Sequence, residues 1–295
     1  MMAINDTQLY RPTLLRAAGM SKRFGALAAV NGVDFDVPRH GIVSLIGPNG
    51  AGKTVFFNML TGVIKPDSGD IWFNGQRING QRPDRITRLG MARTFQGIRL
   101  FKKMTVLDNV LVGQHVHTDR NLLEVVMRSE RVQDDESAAR KRSLELLDFV
   151  GLRAQAATEA GDLPYGAGRR LEVARALATS PQLLLLDEPT AGMNPSETTS
   201  MVELISRLRR DLGLAVLLIE HDMKVVMRIS DRVSVMDYGI KIAEGSPDEV
   251  RHNSLVIEAY LGRSAAADRE LNPPETQLEP DAAPGLQTQP RPATS

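Results

Sequence analysis

The sequence predicts an α/β fold: a parallel core sheet with flanking helices, an antiparallel β-subdomain and an inserted helical subdomain. Three features point there. Gly47-Pro48-Asn49-Gly50-Ala51-Gly52-Lys53-Thr54 fits G-x-x-x-x-G-K-[ST] at every fixed position. An apolar run, Ile42 to Ile46, precedes it, and a helix-compatible run, Val55 to Leu60, follows. Second, Leu183 to Leu186 and Leu214 to Ile219 are wholly apolar, as strands buried on both faces of a parallel sheet are. Third, the segment between those runs carries Met201, Leu204, Ile205, Leu208 and Leu212 at helical spacing. Strand–helix–strand alternation of this kind argues for a parallel sheet.

In chain order, Val33-Asp34-Phe35-Asp36-Val37 alternates apolar and charged residues, so it reads as a half-buried strand before a turn at Pro38 to Gly41. Past the glycine-rich loop, Lys65 to Gly69 reads as a turn and Asp70 to Phe73 as a short strand. Asn74-Gly75 is the strongest two-residue hairpin signal and completes an antiparallel patch. Residues 83–89 read as a short helix ending at Gly90, and Met91 to Gln96 as a strand.

From about 97 to 165 the strand signals stop. Leu144, Leu147 and Val150 fall at helical spacing, which places a helix over Glu136 to Val150 in the helical subdomain. Leu171 to Ala178 is expected to be helical, and Gly213 to close the helix that carries the Met201 to Leu212 stripe. Ser246-Pro247-Asp248-Glu249 combines an N-cap serine, proline at the first helical position and a capping-box glutamate. A last helix runs from Asn253 to Leu261 and stops at Gly262. Residues 263–295 hold six of the sixteen prolines and no periodicity, so a disordered tail is expected. The organisation is therefore an N-terminal lead (1–12), one domain (13–262) and the tail (263–295).

Composition narrows the function. Lys+Arg and Asp+Glu both number 36, which argues against a nucleic-acid partner. The basic cluster Arg82, Arg85, Arg88, Arg93, Arg99, Lys102 and Lys103 has little aromatic interleaving and reads as a solvated or partner-facing surface. No cysteine is present, which excludes disulfides, thiolate metal sites and cysteine nucleophiles. Met1 to Arg11 lacks the apolar centre of a signal peptide, and no apolar run approaches the ~20 residues that cross a bilayer. The expectation is a soluble chain whose role at a membrane needs a partner. His115 and His117 have no third ligand nearby and read as ordinary side chains.

Glycines in the 47–54 loop let successive backbone N–H groups converge on phosphate oxygens, and the following helix aims its positive end at the same anion. Lys53 is placed to reach the β- and γ-phosphates, and the Thr54 hydroxyl to ligate Mg²⁺. Asp187 ends an apolar strand at the sheet edge where α/β ligands bind, so it can hold Mg²⁺ opposite Thr54. Glu188, one residue on, can orient or deprotonate a water for in-line attack. His221 ends the other apolar strand after Glu220 and can donate to charge developing on the γ-phosphate. Gln96, at the end of a third candidate strand, can ligate Mg²⁺ or position water. A lone strand-end His or Gln is ordinarily structural. Their order relative to the loop and to Asp187-Glu188-Pro189 singles these two out.

Taken together, the glycine-rich loop, Gln96, Leu163-Pro164-Tyr165-Gly166, Leu183 to Pro189, Ala191-Gly192-Met193-Asn194 and His221 occur in the order of the ATP-binding-cassette (ABC) ATPases. Residues 13–262 resemble that family, which implies a P-loop NTPase of ABC type. The resemblance also implies a head-to-tail pair of subunits, homo- or heteromeric, with two ATP molecules held between one subunit's phosphate loop and the other's signature segment. Carried over residue by residue, Phe24 matches the aromatic that stacks on adenine, and Asn194 falls in the loop that crosses the interface. Gly47, Pro48, Asn49, Gly50, Ala51, Gly52, Lys53, Thr54 and Val55 match the phosphate loop. Pro164, Tyr165 and Gly166 match the signature, whose commonest form is Leu-Ser-Gly-Gly-Gln. Here the serine hydroxyl and the glutamine are both missing, while Gly166 and a helix N-terminus remain to offer backbone donors.

Arg93 to Phe101, Glu220 to Met227 and Ala259-Tyr260-Leu261-Gly262 resemble the ATP-binding subunit of branched-chain amino acid uptake systems. That resemblance implies an ATPase at the cytoplasmic face of the cell membrane, integral-membrane permease partners and, indirectly, a periplasmic solute-binding protein. Relatives that serve urea, amides or lipids, and soluble ATPases of the same superfamily, remain alternatives.

Overall fold

A computed structural model describes residues 12–117 and 130–260. Residues 1–11 of the lead, the proposed stop at Gly262 and the tail lie outside the described residues. The chain runs β1 (Thr13–Phe24), β2 (Leu27–Pro38), β3 (Ile42–Ile46), α1 (Lys53–Leu60), β4 (Ser68–Phe73), β5 (Gln76–Arg77), α2 (Pro83–Arg88), β6 (Met91–Arg93) and α3 (Val106–Gln114). It continues through α4 (Glu130–Phe149), α5 (Tyr165–Leu177), β7 (Leu183–Asp187), α6 (Pro195–Leu212), β8 (Ala215–Ile219), α7 (Met223–Ile229), β9 (Arg232–Asp237), β10 (Ile240–Gly245) and α8 (Pro247–Arg251). A final helix, α9, covers 254–260.

The main sheet has the order β10-β9-β3-β8-β7-β6, parallel throughout except for the β9–β10 hairpin at its edge. The second sheet, β2-β1-β4-β5, is antiparallel. Side-chain alternation explains why β7 and β8 are apolar at every position up to Asp187. Leu184, Leu186, Val216 and Leu218 face one core, with Val106, Leu147, Leu171 and Ile205 from the helices. Leu183, Leu185, Ala215, Leu217 and Ile219 face the other, with Phe56 and Phe57 of α1 and Leu15, Val37 and Phe73 of the antiparallel sheet. Neither face meets water, so both demand hydrocarbon.

Local signals explain most boundaries. Asn74 (φ 51°) and Gly75 (φ 79°) take the doubly left-handed conformation of a type I′ turn. Asn194 caps α6 in a full capping box with Glu197, and Gly213 closes it at φ 66°. Ser246 and Glu249 form the second box, as the sequence indicated. On α4 the buried face is Ser143, Leu146 and Leu147, and Val150, just past its end, is buried with them.

Several expectations need correction. Ser68 and Gly69 belong to β4 rather than to the preceding turn. Strand β6 stops at Arg93, and Thr94 makes one more ladder bond, from its N–H to the Leu185 carbonyl (2.9 Å). There the chain leaves the sheet, because the Phe95 carbonyl accepts instead from Arg169 of α5 (2.8 Å). Gln96 therefore sits beyond the strand, not at its end. Helix α5 starts at Tyr165, six residues before the expected Leu171, with Pro164 as N-cap. Pro164, Tyr165 and Gly166 are thus the cap and first turn of that helix. The sequence reading also passed over α3, α7 and the β9–β10 hairpin. Its turn, Tyr238-Gly239, lacks the Asn-Gly or Asp-Gly signal.

Candidate functional site

Strand β3 delivers the chain into the 47–52 loop, and Gly52 (φ 97°) caps α1. Two of the glycines are fixed by space. A Cβ on Gly47 would lie 2.0 Å from the Met236 carbonyl oxygen, and one on Gly52 2.2 Å from that of Ala29. The loop is therefore pressed between β9 and β2, and the Ala51 N–H donates within it to the Pro48 carbonyl (3.2 Å). Lys53 is buried, and its Nζ donates to the carbonyls of Gly47 (2.6 Å) and Pro48 (3.0 Å). Thr54, one residue on, is exposed. From the far end of the chain, Tyr260 of α9 packs on the cluster that includes Ile46, Val233 and Val235. Burial pushes its phenol up, and a backbone hydrogen bond at Gly47 partly offsets that.

An open cleft of about 430 Å³ lies over the loop. Residues 49–55, Phe24, Leu27, Gln96, Glu188 and Tyr238 line it. Phe24, at the end of β1, is 47% exposed, with the Lys22 ammonium 5.6 Å from its ring centroid. The cleft's size matches a nucleotide-scale ligand.

At the opposite end of the cleft, Gln96, Glu188 and His221 converge from three separate segments. Gln96 Nε2 donates to Glu188 Oε2 (3.0 Å), and His221 Nδ1 lies 4.0 Å from the same oxygen. Glu188 has a left-handed backbone (φ 48°), and its N–H donates to the Ile219 carbonyl at the end of β8 (2.9 Å). A non-glycine residue in that conformation costs on the order of 1–3 kcal/mol and is characteristic of functional sites. The strain aims the carboxylate out of the sheet edge while Asp187, one residue earlier, stays 3% exposed.

Asp187 is held by an arginine. Arg93 Nη2 donates to Asp187 Oδ2 (2.7 Å), and its Nη1 donates to Asn58 (2.6 Å) and Thr61 (3.3 Å) on and just after α1. This ion pair ties β6, β7 and α1 together beneath the loop. A carboxylate has about four lone-pair directions, so one arginine bond leaves room for a cation. With Nε2 donating to Glu188, Gln96 keeps its amide oxygen for ligating a cation. Thr54, Gln96 and Asp187 together offer hard oxygen ligands of the kind Mg²⁺ selects.

Glu220 is the residue the sequence reading overlooked. It is fully buried between Ile219 and His221. Its Oε1 accepts from the Thr190 amide (3.2 Å) and hydroxyl, and its Oε2 accepts from the amides of His221 (2.9 Å) and Asp222 (3.3 Å). The carboxylate thus fixes both the turn that presents His221 and the loop after Glu188. No local signal marked it, because β8 is buried at every position and the partners of Glu220 include Thr190, thirty residues away.

The 164–166 segment is not brought to this cleft. Pro164 and Gly166 line a separate cavity of about 180 Å³ with Met193 and Glu197. Tyr165 donates its hydroxyl proton to the Ala191 carbonyl (2.9 Å). A Cβ on Gly166 would meet Glu197 Oε1 at 2.5 Å, so a larger residue there would displace the Glu197 side chain. Behind it, α5 grips the Gln96 segment. Arg169 donates to the carbonyls of Phe95 (2.8 Å) and Gln96, and Glu172 accepts from the Arg99 amide (2.7 Å). Arg175 donates to the Arg99 carbonyl (2.5 Å). Burial pushes the Glu172 carboxyl above its ordinary value, against the pull of the Arg99 amide, Arg169 and Arg175.

Residues 30–191 match the family described as "ABC transporter", and residues 241–266 match "Branched-chain amino acid ATP-binding cassette transporter". The chain is 46% identical over 251 residues to the high-affinity branched-chain amino acid transport ATP-binding protein BraF of Pseudomonas aeruginosa, covering 85% of this chain and 98% of the relative. The LivG protein of Escherichia coli K12, of the same description, is equally similar. A probable LivG of Archaeoglobus fulgidus is 37% identical, with 88% and 98% covered. Among solved structures, an ATP-binding cassette of an ABC transporter in its ADP conformation superposes with a TM-score of 0.75 at 31% identity, covering 85% of this chain and 99% of that one. A nucleotide-free cassette gives 0.74 at 30% identity.

Proposed function

The chain belongs to the ABC transporter family of ATP-binding subunits, and we propose from this membership and from the site that it hydrolyses ATP to drive uptake of branched-chain amino acids. The observation that carries the catalytic part is the convergence of Gln96, Glu188 and His221 at the edge of the phosphate-loop cleft. The 46% identity over almost the whole length of BraF and LivG carries the choice of cargo.

In this reading, the loop amides and Lys53 hold the phosphates, and Phe24 stacks on the base. Lys53 exchanges the Gly47 and Pro48 carbonyls for phosphate oxygens. Glu188 accepts a proton from water as the oxygen attacks the γ-phosphorus and the bond to ADP breaks. Gln96 holds the Glu188 carboxylate and the water in register, and His221 donates to the charge that develops on the γ-phosphate. Thr54, Gln96 and Asp187 would hold Mg²⁺, which would supply neutralisation of the phosphate charge.

The site is half of a pair. Pro164, Tyr165 and Gly166 face away from their own cleft, and a second subunit's α5 N-terminus closes the γ-phosphate with backbone donors in place of the missing serine hydroxyl. The subunit works at the cytoplasmic face of the membrane, bound to integral-membrane permeases that receive cargo from a periplasmic solute-binding protein. Among the described residues no helix is long and apolar enough to cross a membrane.

Co-purification of the partners tests the cargo. The solute-binding protein that shares the complex is expected to melt higher with leucine, isoleucine or valine, by RT ln(1 + [L]/Kd). Stabilisation by urea or amides alone, or ATPase stimulation by lipid with no such binding protein, would replace the cargo and leave the ATPase.

A further inference from the structure

Two hairpin turns in this molecule share one backbone conformation and differ in one residue. Asn74-Gly75 uses φ 51° and 79°, and Tyr238-Gly239 uses φ 43° and 79°. Asparagine is suited to the first position of such a turn because it tolerates left-handed φ, whereas a bulky aromatic there is an outlier. The Tyr238 side chain is not drawn into the core by way of compensation. It is 75% exposed, more than any other large hydrophobic among the described residues.

Its position is specific. The turn is bonded on both sides to the nucleotide cleft: the Gly239 N–H donates to the Ala51 carbonyl of the phosphate loop (3.0 Å), and the Gly239 carbonyl accepts from the Asn31 N–H of β2 (2.8 Å). A Cβ on Gly239 would stand 2.8 Å from the Ala29 carbonyl oxygen, so the turn lies flat against β2. Tyr238 lines the same cleft as Phe24 and Leu27, and all three are exposed. Backbone strain retained in a well-bonded turn points to use rather than to packing.

We propose that Tyr238 is a second aromatic contact for the base and ribose of the bound nucleotide, working with Phe24 and setting affinity for the nucleoside rather than for the phosphates. The inference rests on the nucleotide-site reading above. A phenol ring offers a π-face to the base and a hydroxyl to its edge or to the ribose, and two χ angles fix it at low entropic cost.

The test compares wild type, Tyr238→Asn and Tyr238→Phe by calorimetric titration with ATP and with tripolyphosphate, alongside thermal melting. Tyr238→Asn is expected to melt higher, because asparagine suits the turn, and yet to bind ATP roughly five- to tenfold more weakly, the low end of a base–aromatic stack. Its affinity for tripolyphosphate is expected to stay within twofold of wild type, and Tyr238→Phe to keep most of the ATP affinity. Unchanged ATP binding by Tyr238→Asn overturns the proposal. So does an equal loss for ATP and tripolyphosphate, which would mean that the variant had merely disturbed Ala51. If wild type itself binds tripolyphosphate and ATP equally, or neither, the nucleotide reading fails with it.

Discussion

Four donors converge on the Glu220 carboxylate, and only a carboxylate can accept all of them without a clash. Glu220→Gln turns one acceptor into an NH₂ group that must face either the Thr190 pair or the two amides of His221 and Asp222. The Thr190 hydroxyl can rotate to accept, but an amide cannot. At least one buried N–H is then left unsatisfied, at a cost of roughly 1–3 kcal/mol. The expected outcome is a lower midpoint in urea melts, with turnover reduced and nucleotide affinity nearly unchanged, because the affected groups present Glu188 and His221 and not the phosphate loop. Glu220 shows how far single residues could be read from sequence. Residues 47–54, Asp187 and Glu188 announce their chemistry through fixed spacing and through the apolar runs that place them. Glu220 looks like one more charge in Glu-His-Asp, because its partners Thr190, His221 and Asp222 are brought to it by the fold. Arg93 was hidden similarly: it read as part of a basic surface, whereas its guanidinium is buried against Asp187.

At the scale of elements, the segment after β6 matters most. It leaves the sheet at Thr94 and is held by three side chains of α5: Arg169 at Phe95 and Gln96, and Glu172 and Arg175 at Arg99. Glu172 gives this contact a pH signature. Its folded pKa lies above its unfolded one, so its share of stability is fully present below the unfolded value and is lost as pH rises through the folded value. The stability of wild type relative to Glu172→Gln is therefore expected to fall as pH climbs from about the ordinary carboxylate value of 4.5 through the elevated one, then level off. Urea melts at stepped pH check this, and a gap that widens in wild type's favour over that range would refute it. A second element-scale test concerns α6. Asn194→Ala removes the acceptor for two amides in its capping box and should cost ~1 kcal/mol. Fully apolar strands, capping boxes and the Asn-Gly turn were legible because each is a local rule. The β9–β10 hairpin was not, since its turn breaks the local rule and β10 is nowhere fully buried. Strand β6 was over-read by three residues because the pull of Arg169 on Phe95 and Gln96 is non-local.

For the whole molecule, the two clusters of site residues do not meet within one chain. Phosphate loop, Gln96, Glu188 and His221 share one cleft or its edge, while Pro164 and Gly166 line another cavity. In the function proposed above, a second copy or a close relative completes the site, and turnover is then expected to depend steeply on subunit concentration when permeases are absent. The ABC identity was readable from motif order along the chain. The division of the site was implied by that resemblance, and Pro164 to Gly166 form the cap and first turn of α5, away from the phosphate-loop cleft. The central claim is that Glu188 is the base of an ATPase shared between two subunits. Its most direct test is Glu188→Gln, with single-turnover ATP hydrolysis and molecular mass in solution measured on the same sample. The expected result is hydrolysis slower by roughly 10²- to 10⁴-fold together with a stable ATP-bound dimer. Hydrolysis at the wild-type rate, or a variant that stays monomeric with ATP bound, would contradict it.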